Sequence, residues 1–247
     1  MPEQLKFYFT FRSPFAYVAL HRIRRLKEFQ DVDIELIPVS PDNIFGGHFD
    51  NPTDNIFKVT YVFEDAARQM EEAGIDASYL KDRVGKMGEM ARGFSSEALK
   101  AGKVGMPHSS TPEDWETPAK AAMYALDKGK GWELADAMGN ARWSADKATR
   151  KDIQKLEVIA EIAASIGLDA AELSQAVTSG KYDKLLSEKS AESERDQVFG
   201  FPFFVHRGNR FWGNDRLPWV LKSVRDVGAS SSSGPPVLGP LGPVSRL

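Results

Sequence analysis

The sequence predicts an α/β fold in which a strand, a helix and a second strand open the chain, and two strands and a helix close it. Residues 5–11 are rich in aromatic side chains, as strands often are, and lead straight into Ser13-Pro14, a helix-start signal. Near the other end, residues 203–212 hold two short apolar runs around a turn. Between them, residues 56–198 show almost only helical signals.

The opening unit occupies residues 5–39. The first strand is predicted over 5–11 and the first helix over 13–29. Residues 32–39 alternate between apolar and acidic side chains and then turn apolar, which predicts a second strand. A strand, a helix and a strand within about 35 residues are typical of a βαβ unit with parallel strands and a right-handed crossover.

A helical block is predicted to follow the opening unit. Residues 42–55 are rich in Gly, Asn, Asp and Pro and predict a loop, and the glycines and prolines of 101–112 predict a break. Spacing of apolar residues and helix-start and helix-stop residues predict seven helices. These are residues 56–74, 76–92, 117–127, 132–141, 152–166, 169–178 and 182–199.

The closing part of the chain predicts a hairpin and a last helix. Strands over 203–206 and 210–212 flank Arg207-Gly208-Asn209, a turn-forming sequence. Gly213 and Asn214 precede a helix from Asp215 to about Val227, with Pro218 in its first turn.

The predicted organisation is two domains and a tail. Residues 1–41 and 199–227 form the domain that contains the sheet, and residues 42–198 form an all-helical insertion between its halves. Residues 228–247 consist largely of Gly, Pro and Ser, which predicts a disordered tail.

Composition excludes several classes of function. The chain of 247 residues has a net charge of −3, so no basic footprint for nucleic acid is expected. No apolar run approaches the roughly 20 residues of a membrane span, and the beginning has no signal-peptide pattern. The four histidines are scattered without the spacing of metal ligands, so no metal is expected. The absence of cysteine is compatible with a cytoplasmic protein, which is the expected location.

Ser13 is the candidate catalytic residue. At the start of the first helix it lies where backbone N–H groups lack partners and the helix dipole is positive. Such a place favours an anion, and a bound thiolate is an anion. The alternative is a helix cap without a catalytic role, which contributes about 1 kcal/mol.

The order βαβ, helical block, ββα is that of the thioredoxin fold, whose DsbA-like branch carries such a block. Thioredoxin-like oxidoreductases place Cys-x-x-Cys where this chain reads Ser13-Pro14-Phe15-Ala16. Because the chain has no cysteine, thiol–disulfide exchange by its own residues is excluded. In these folds the proline at the position of Pro202 is cis and presents the backbone of Phe201 to a bound peptide. The alternative is a proline that only begins a strand.

Together the two ends resemble the 2-hydroxychromene-2-carboxylate isomerases and the related kappa-class glutathione transferases. The matching segments are Phe-Tyr-x-x-x-x-Ser-Pro-Phe-Ala-Tyr from Phe7, Val-Phe-Gly-x-Pro-x-Phe-Val from Val198, and Phe-Trp-Gly-x-Asp-Arg-Leu from Phe211. In the insertion, Asn51-Pro52 and Lys58-x-x-Tyr61 are similar to shorter family segments. The resemblance spans residues 5–227 and is strong at both ends.

The resemblance implies a glutathione site and a homodimer. Ser13 would donate a hydrogen bond to the glutathione sulfur and hold it as a thiolate. The N–H groups at Asn214 and Asp215 would receive the γ-glutamyl carboxylate, with the Asp215 carboxylate on its ammonium group, and the alternative for both residues is helix capping. The residues assigned to glutathione binding are Phe201, Pro202, Asn214, Asp215, Asn51 and Lys58. The alternative for Lys58 is a solvated surface lysine.

Three functions remain open. The first is a glutathione-dependent isomerase of a small aromatic carboxylate, in which thiolate addition, bond rotation and elimination return the cofactor. The second is a kappa-type glutathione transferase that releases the adduct. The third is a non-catalytic DsbA-like binding domain. Residues 80–115 and Thr53-Asp54 depart from the family pattern where the second substrate would dock, so the sequence does not specify that substrate.

Overall fold

A computed structural model describes residues 4–41, 55–95, 97–98 and 114–225 of the protein. The candidate residue Asn51 and the predicted break at 101–112 lie outside the described residues, as do the tail at 228–247 and most of the predicted loop at 42–55.

Four strands form one mixed sheet in the order β2-β1-β3-β4. They are β1 (Leu5–Phe9), β2 (Ile34–Pro38), β3 (Phe203–His206) and β4 (Asn209–Trp212). Strands β1 and β2 are parallel, and the pairs β1–β3 and β3–β4 are antiparallel. Residues from the two ends of the chain therefore meet in the centre of the sheet, where Phe7 lies opposite Phe204.

The helices fall where the sequence predicts them. In the described residues they are α1 (Pro14–Arg25), α2 (Ile56–Glu72), α3 (Ser78–Arg92), α4 (Glu116–Asp127), α5 (Gly131–Trp143), α6 (Leu156–Ser165), α7 (Ala170–Thr178), α8 (Asp183–Arg195) and α9 (Leu217–Arg225). Short 3₁₀ helices cover Lys27–Phe29 and Asn214–Arg216. The α/β fold with a helical block between βαβ and ββα is confirmed. None of the helices described here has the length and apolar character of a membrane span.

Several element boundaries differ from the prediction. Strand β1 stops at Phe9, because the chain turns there and the Ser13 N–H bonds the Thr10 carbonyl at 3.2 Å. Helix α1 stops at Arg25, because Leu26 takes an extended conformation with ψ of 121°. The hairpin turn is one residue shorter than predicted, since Arg207 and Gly208 have φ of 53° and 73° and Asn209 already belongs to β4.

The main core is shared between the sheet and the helical block. Phe7 and Phe9 point to one face of β1, and the Phe7 ring stacks on Phe204 with centroids 4.6 Å apart. Leu20 of α1 and Tyr124 of α4 belong to the same buried cluster. The helical block is thus packed against the face that also carries α1, which holds the beginning of α1 in a fixed place relative to the sheet.

His21, on α1, gives the fold a defined response to acid. Burial lowers the pKa of His21, as does the positive charge of Arg25, while Asp136 opposes the shift. Because the pKa in the folded state is below the ordinary value of about 6.5, the unfolded chain binds the proton more readily. We therefore expect the free energy of unfolding to decrease as the pH falls through about 6.5, and this loss to level off below the folded-state pKa.

Urea denaturation across this range measures the effect, and a His21→Gln variant isolates it from the other histidines. The variant should show a flatter pH dependence than the parent protein. Identical pH dependences for the two proteins would contradict the assignment.

Candidate functional site

Ser13 caps helix α1 with its side chain. Its backbone is extended, with φ of −88° and ψ of 121°, and its Oγ accepts a hydrogen bond from the Ala16 N–H at 3.2 Å. Pro14 follows at the first helical position, as the Ser-Pro pair predicts. The first turn of α1 carries no acidic side chain, so the positive end of the helix dipole is not neutralised there.

The Ser13 hydroxyl also contacts the other end of the chain. Its Oγ donates to the carbonyl oxygen of Phe201 at 3.1 Å. The Phe201–Pro202 peptide bond is cis, as the thioredoxin-like order implies. The structure therefore brings together three of the predicted site residues: Ser13, Phe201 and Pro202.

A glycine joins this group to the segment before α9. The Gly213 N–H donates to the Pro202 carbonyl at 3.0 Å. Gly213 has a φ of 106°, and a Cβ at this position would lie 2.4 Å from Oδ1 of Asp215. A glycine is needed here because any side chain would meet both the unfavourable backbone conformation and the Asp215 carboxylate.

Asn214 is fully buried, with 0% of its surface exposed. Its Oδ1 accepts from Nη1 of Arg22 at 2.8 Å, and its Nδ2 donates to Oε1 of Gln69. Its side chain thus joins α1, α2 and the 3₁₀ helix, and holds the beginning of this 3₁₀ helix in place. Asp215, next in the chain, has an exposed carboxylate 3.6 Å from the Arg216 guanidinium.

Lys58 lies on the first turn of α2. Asn55 caps this helix by accepting from the N–H groups of Phe57 and Lys58, at 3.0 and 3.2 Å. The C-terminal ends of α1 and α2 lie together, because Arg22 of α1 pairs with Glu72 of α2 at 2.9 Å. The middles of both helices contribute to one apolar cluster. The two helices therefore run side by side, and the exposed Lys58 side chain projects from the end of α2 that lies on the Ser13 side.

Two aromatic residues beside Phe201 and Pro202 were not predicted as site residues. Phe199 and Trp212 are each 55% exposed, and their rings meet edge to face at 4.9 Å. The Trp212 indole lies against Gly200, where a Cβ would be 2.6 Å from its Nε1. Both residues lie within the closing motifs, but their exposure follows from the place of β4 at the edge of the sheet and not from the sequence pattern.

The tyrosines near this site stay protonated at neutral pH. Burial raises the pKa of Tyr8, and its hydroxyl donates to Asp196 at 2.6 Å, while Tyr8 packs in the same cluster as Phe201. Burial also raises the pKa of Tyr17, to about 12. Both phenols are therefore neutral at neutral pH, and the Tyr8 proton is already donated to Asp196.

Comparison with protein families gives one match across nearly the whole described chain. Residues 4–225 match the DSBA-like thioredoxin domain. No curated protein sequence matches.

Solved structures with a similar fold include an enzyme of the family suggested by the motifs. A 2-hydroxychromene-2-carboxylate isomerase superposes with a TM-score of 0.65 at 18% identity, covering 90% of this chain and 93% of that one. A probable DsbA oxidoreductase from Streptomyces coelicolor gives 0.56 at 17% identity, with 97% of each chain covered. The cytosolic disulfide reductase DsbM from Pseudomonas aeruginosa gives 0.51 at 16% identity, covering 90% and 95%. At these identities the similarity shows the fold.

Proposed function

The chain belongs to the DSBA-like thioredoxin domain family, and from that premise we propose that it is a glutathione-dependent isomerase of a small aromatic carboxylate of the 2-hydroxychromene-2-carboxylate type. The observation that carries this proposal is the place of one hydroxyl. Ser13 Oγ lies at the start of α1, 3.1 Å from the carbonyl that precedes the cis-proline, in a chain that has no cysteine. A catalyst built this way needs its sulfur from a bound molecule.

The residues around Ser13 suit glutathione. A hydroxyl can donate a hydrogen bond to a thiolate without forming a disulfide with it. The Ala16 N–H donates to the same oxygen, and the dipole of α1 favours negative charge at this point. Both effects favour the ionised form of a sulfur held here, and a thiolate is the reactive form.

The remaining groups suit the rest of the tripeptide. We assign its backbone to Phe201 and Pro202, its γ-glutamyl carboxylate to the N–H group at Asp215, and its ammonium group to the exposed Asp215 carboxylate. The role of the fully buried Asn214 is to hold this segment in place. Lys58 lies at the end of α2 on the Ser13 side, and its ammonium group is assigned to a carboxylate of glutathione or of the substrate. Asn51 remains part of the proposed site from the sequence resemblance.

When bound, glutathione supplies the thiolate that adds to a conjugated carbon of the substrate and leaves again after a bond has rotated. The chain contributes by holding that sulfur at one place and in one charge state. The exposed rings of Phe199 and Trp212 offer an apolar surface next to Phe201 for a planar substrate. The similarity in fold to a 2-hydroxychromene-2-carboxylate isomerase supports this choice of reaction.

Titration calorimetry with glutathione, followed by turnover of 2-hydroxychromene-2-carboxylate, tests the proposal. We expect glutathione to bind, turnover to require it, and the free thiol concentration to be the same before and after the reaction. Stoichiometric loss of thiol would instead support the kappa-type transferase. No binding of glutathione up to millimolar concentration would overturn both and leave the non-catalytic binding domain.

The homodimer is proposed on the resemblance. Sedimentation equilibrium of the full chain tests it, with a monomer as the contradicting result.

A further inference from the structure

A cavity lies in the helical block, between α3 and the C-terminal end of α5. It has a volume of about 300 Å³. It is lined from α3, from the end of α5 and from the segment that follows α5: Tyr79 and Arg83, then Arg142 and Trp143, then Arg150, Lys151 and Asp152. We call this cavity the arginine pocket. None of its residues belongs to the proposed glutathione site.

The arginine pocket is strongly cationic. Four of its side chains are positively charged and one, Asp152, is negatively charged, although the whole chain has a net charge of −3. Arg83 and Arg150 form no salt bridge with any carboxylate in the part of the chain that the structure describes. Lys151 pairs with Glu161 at 3.0 Å. The charges of Arg83 and Arg150 are therefore not offset by a salt bridge among the described residues, and a bound oxyanion would offset them.

Aromatic rings and backbone carbonyls hold the guanidinium groups in place. The Arg150 Cζ lies 3.8 Å from the centroid of Tyr79, and its Nη1 donates to the carbonyls of Ser144 and Ala145, both at 3.1 Å. Arg83 donates to the Tyr79 hydroxyl at 3.0 Å. The two arginines therefore lie around one ring, and little side-chain entropy remains to be lost when a ligand binds.

Arg142 is held in the same manner. Its Cζ lies 4.4 Å from the ring centroid of Trp115 and 4.8 Å from that of Trp143. A guanidinium that stacks on a ring with its face keeps its N–H edge in the plane, where it can meet an oxyanion. Three arginines fixed in this way around one cavity match a ligand with carboxylate or phosphate oxygens.

We propose that the arginine pocket binds a small organic oxyanion, a molecule that carries carboxylate or phosphate groups and is small enough for a cavity of about 300 Å³. Hydrogen bonds from the guanidinium groups give the affinity, and Tyr79 and Trp143 line the space for the body of the molecule. The arginine pocket shares no residue with the proposed glutathione site, although Tyr79 and Trp143 pack in the same apolar cluster as Phe15 and Tyr17 of α1.

Calorimetric titration of the full chain with two probes, inorganic phosphate and phthalate, tests the proposal at low ionic strength. We expect saturable binding of at least one probe and at least tenfold weaker binding to an Arg83→Gln/Arg150→Gln variant. Tighter binding of phosphate identifies a phosphate ligand, and tighter binding of phthalate identifies a carboxylate. Equal affinity of the parent and the double variant for both probes, or no binding to either protein, would overturn the proposal.

A matched control removes the same charge elsewhere. The Lys27→Gln/Lys184→Gln variant replaces two exposed lysines outside the pocket, one of them 89% exposed, and should bind the probes like the parent. An equal loss of probe affinity in this control would show that the probes are attracted by the overall charge and not bound at the arginine pocket. If the double variant unfolds at a lower temperature than the parent, the single variant Arg83→Gln tests the proposal in its place. It should disturb the fold less, because among the described residues the Tyr79 hydroxyl is the only side chain that Arg83 hydrogen-bonds.

A Ser13→Ala variant separates this proposal from the proposed function. It should bind phosphate or phthalate as the parent does, whatever its effect on glutathione. A change in probe affinity in that variant would place the bound probe at the Ser13 site and contradict the arginine pocket.

Discussion

Replacing Ser13 with Ala is expected to lower kcat/KM of glutathione-dependent isomerisation by about 10²- to 10³-fold, the usual effect of removing one donor to a catalytic anion. The variant loses the hydroxyl that would donate to the sulfur, while the backbone and the dipole of α1 remain. The pKa of the bound glutathione thiol should rise, because the ionised form loses a hydrogen bond. The ultraviolet absorbance of the thiolate, followed with pH, measures that change alongside the kinetics.

Two further variants separate catalysis from helix capping. Ser13→Asp keeps an oxygen that can accept from the Ala16 N–H, so the fold should stay stable, but it has no proton to donate at neutral pH and repels a thiolate. Ser13→Thr keeps both functions of the hydroxyl and should retain most activity. If Ser13→Ala loses only about 1 kcal/mol of stability and turns over normally, Ser13 is a cap and the proposed mechanism fails.

Replacing Asn214 with Ala is expected to lower the free energy of unfolding by about 2–3 kcal/mol. The fully buried amide bonds both Arg22 and Gln69, so its removal leaves a guanidinium N–H and an amide oxygen without their partner. The loss is limited because Arg22 keeps its pair with Glu72. Urea denaturation at neutral pH measures it.

Glu72→Gln is the matched control for Asn214. It removes the other partner of Arg22, but the Glu72 carboxylate is exposed, so the expected loss is under about 1 kcal/mol. Asn214→Asp keeps an acceptor for Arg22 but loses the donor to Gln69. Its loss in the free energy of unfolding should fall between those of Asn214→Ala and Glu72→Gln. Equal losses for Asn214→Ala and Glu72→Gln would mean that the buried amide contributes no more than a surface ion pair.

The parts of the site that the sequence predicts are those encoded by neighbouring residues. Ser13 and Pro14 define a helix start through local backbone chemistry, and the structure shows the cap and the helix where they indicate. The aromatic-rich run at residues 5–11 and the alternating run at 32–39 likewise predict the first two strands from local pattern alone. The DsbA-like fold can therefore be predicted from the sequence, and the family match supports the same conclusion.

The contacts that the sequence does not predict join residues far apart in the chain. The Asn214 amide meets Arg22 and Gln69, which are 192 and 145 positions away, and no local pattern marks either pair. The same holds for the arginine pocket, where Arg83 and Arg150 meet around Tyr79. Phe199 and Trp212 are intermediate, because the motifs contain them but their exposure depends on how β4 lies at the sheet edge.

In the proposed mechanism, the hydrogen bond between Ser13 and Phe201 affects how firmly the sulfur of glutathione is held. The hydroxyl has a single proton, and at rest that proton is already given to a carbonyl, a good acceptor. A thioether is a weak acceptor and gains little by competing for it, whereas an ionised sulfur competes well. A glutathione site of this kind would therefore bind the free thiolate more tightly at sulfur than the S-alkylated intermediate of the proposed reaction.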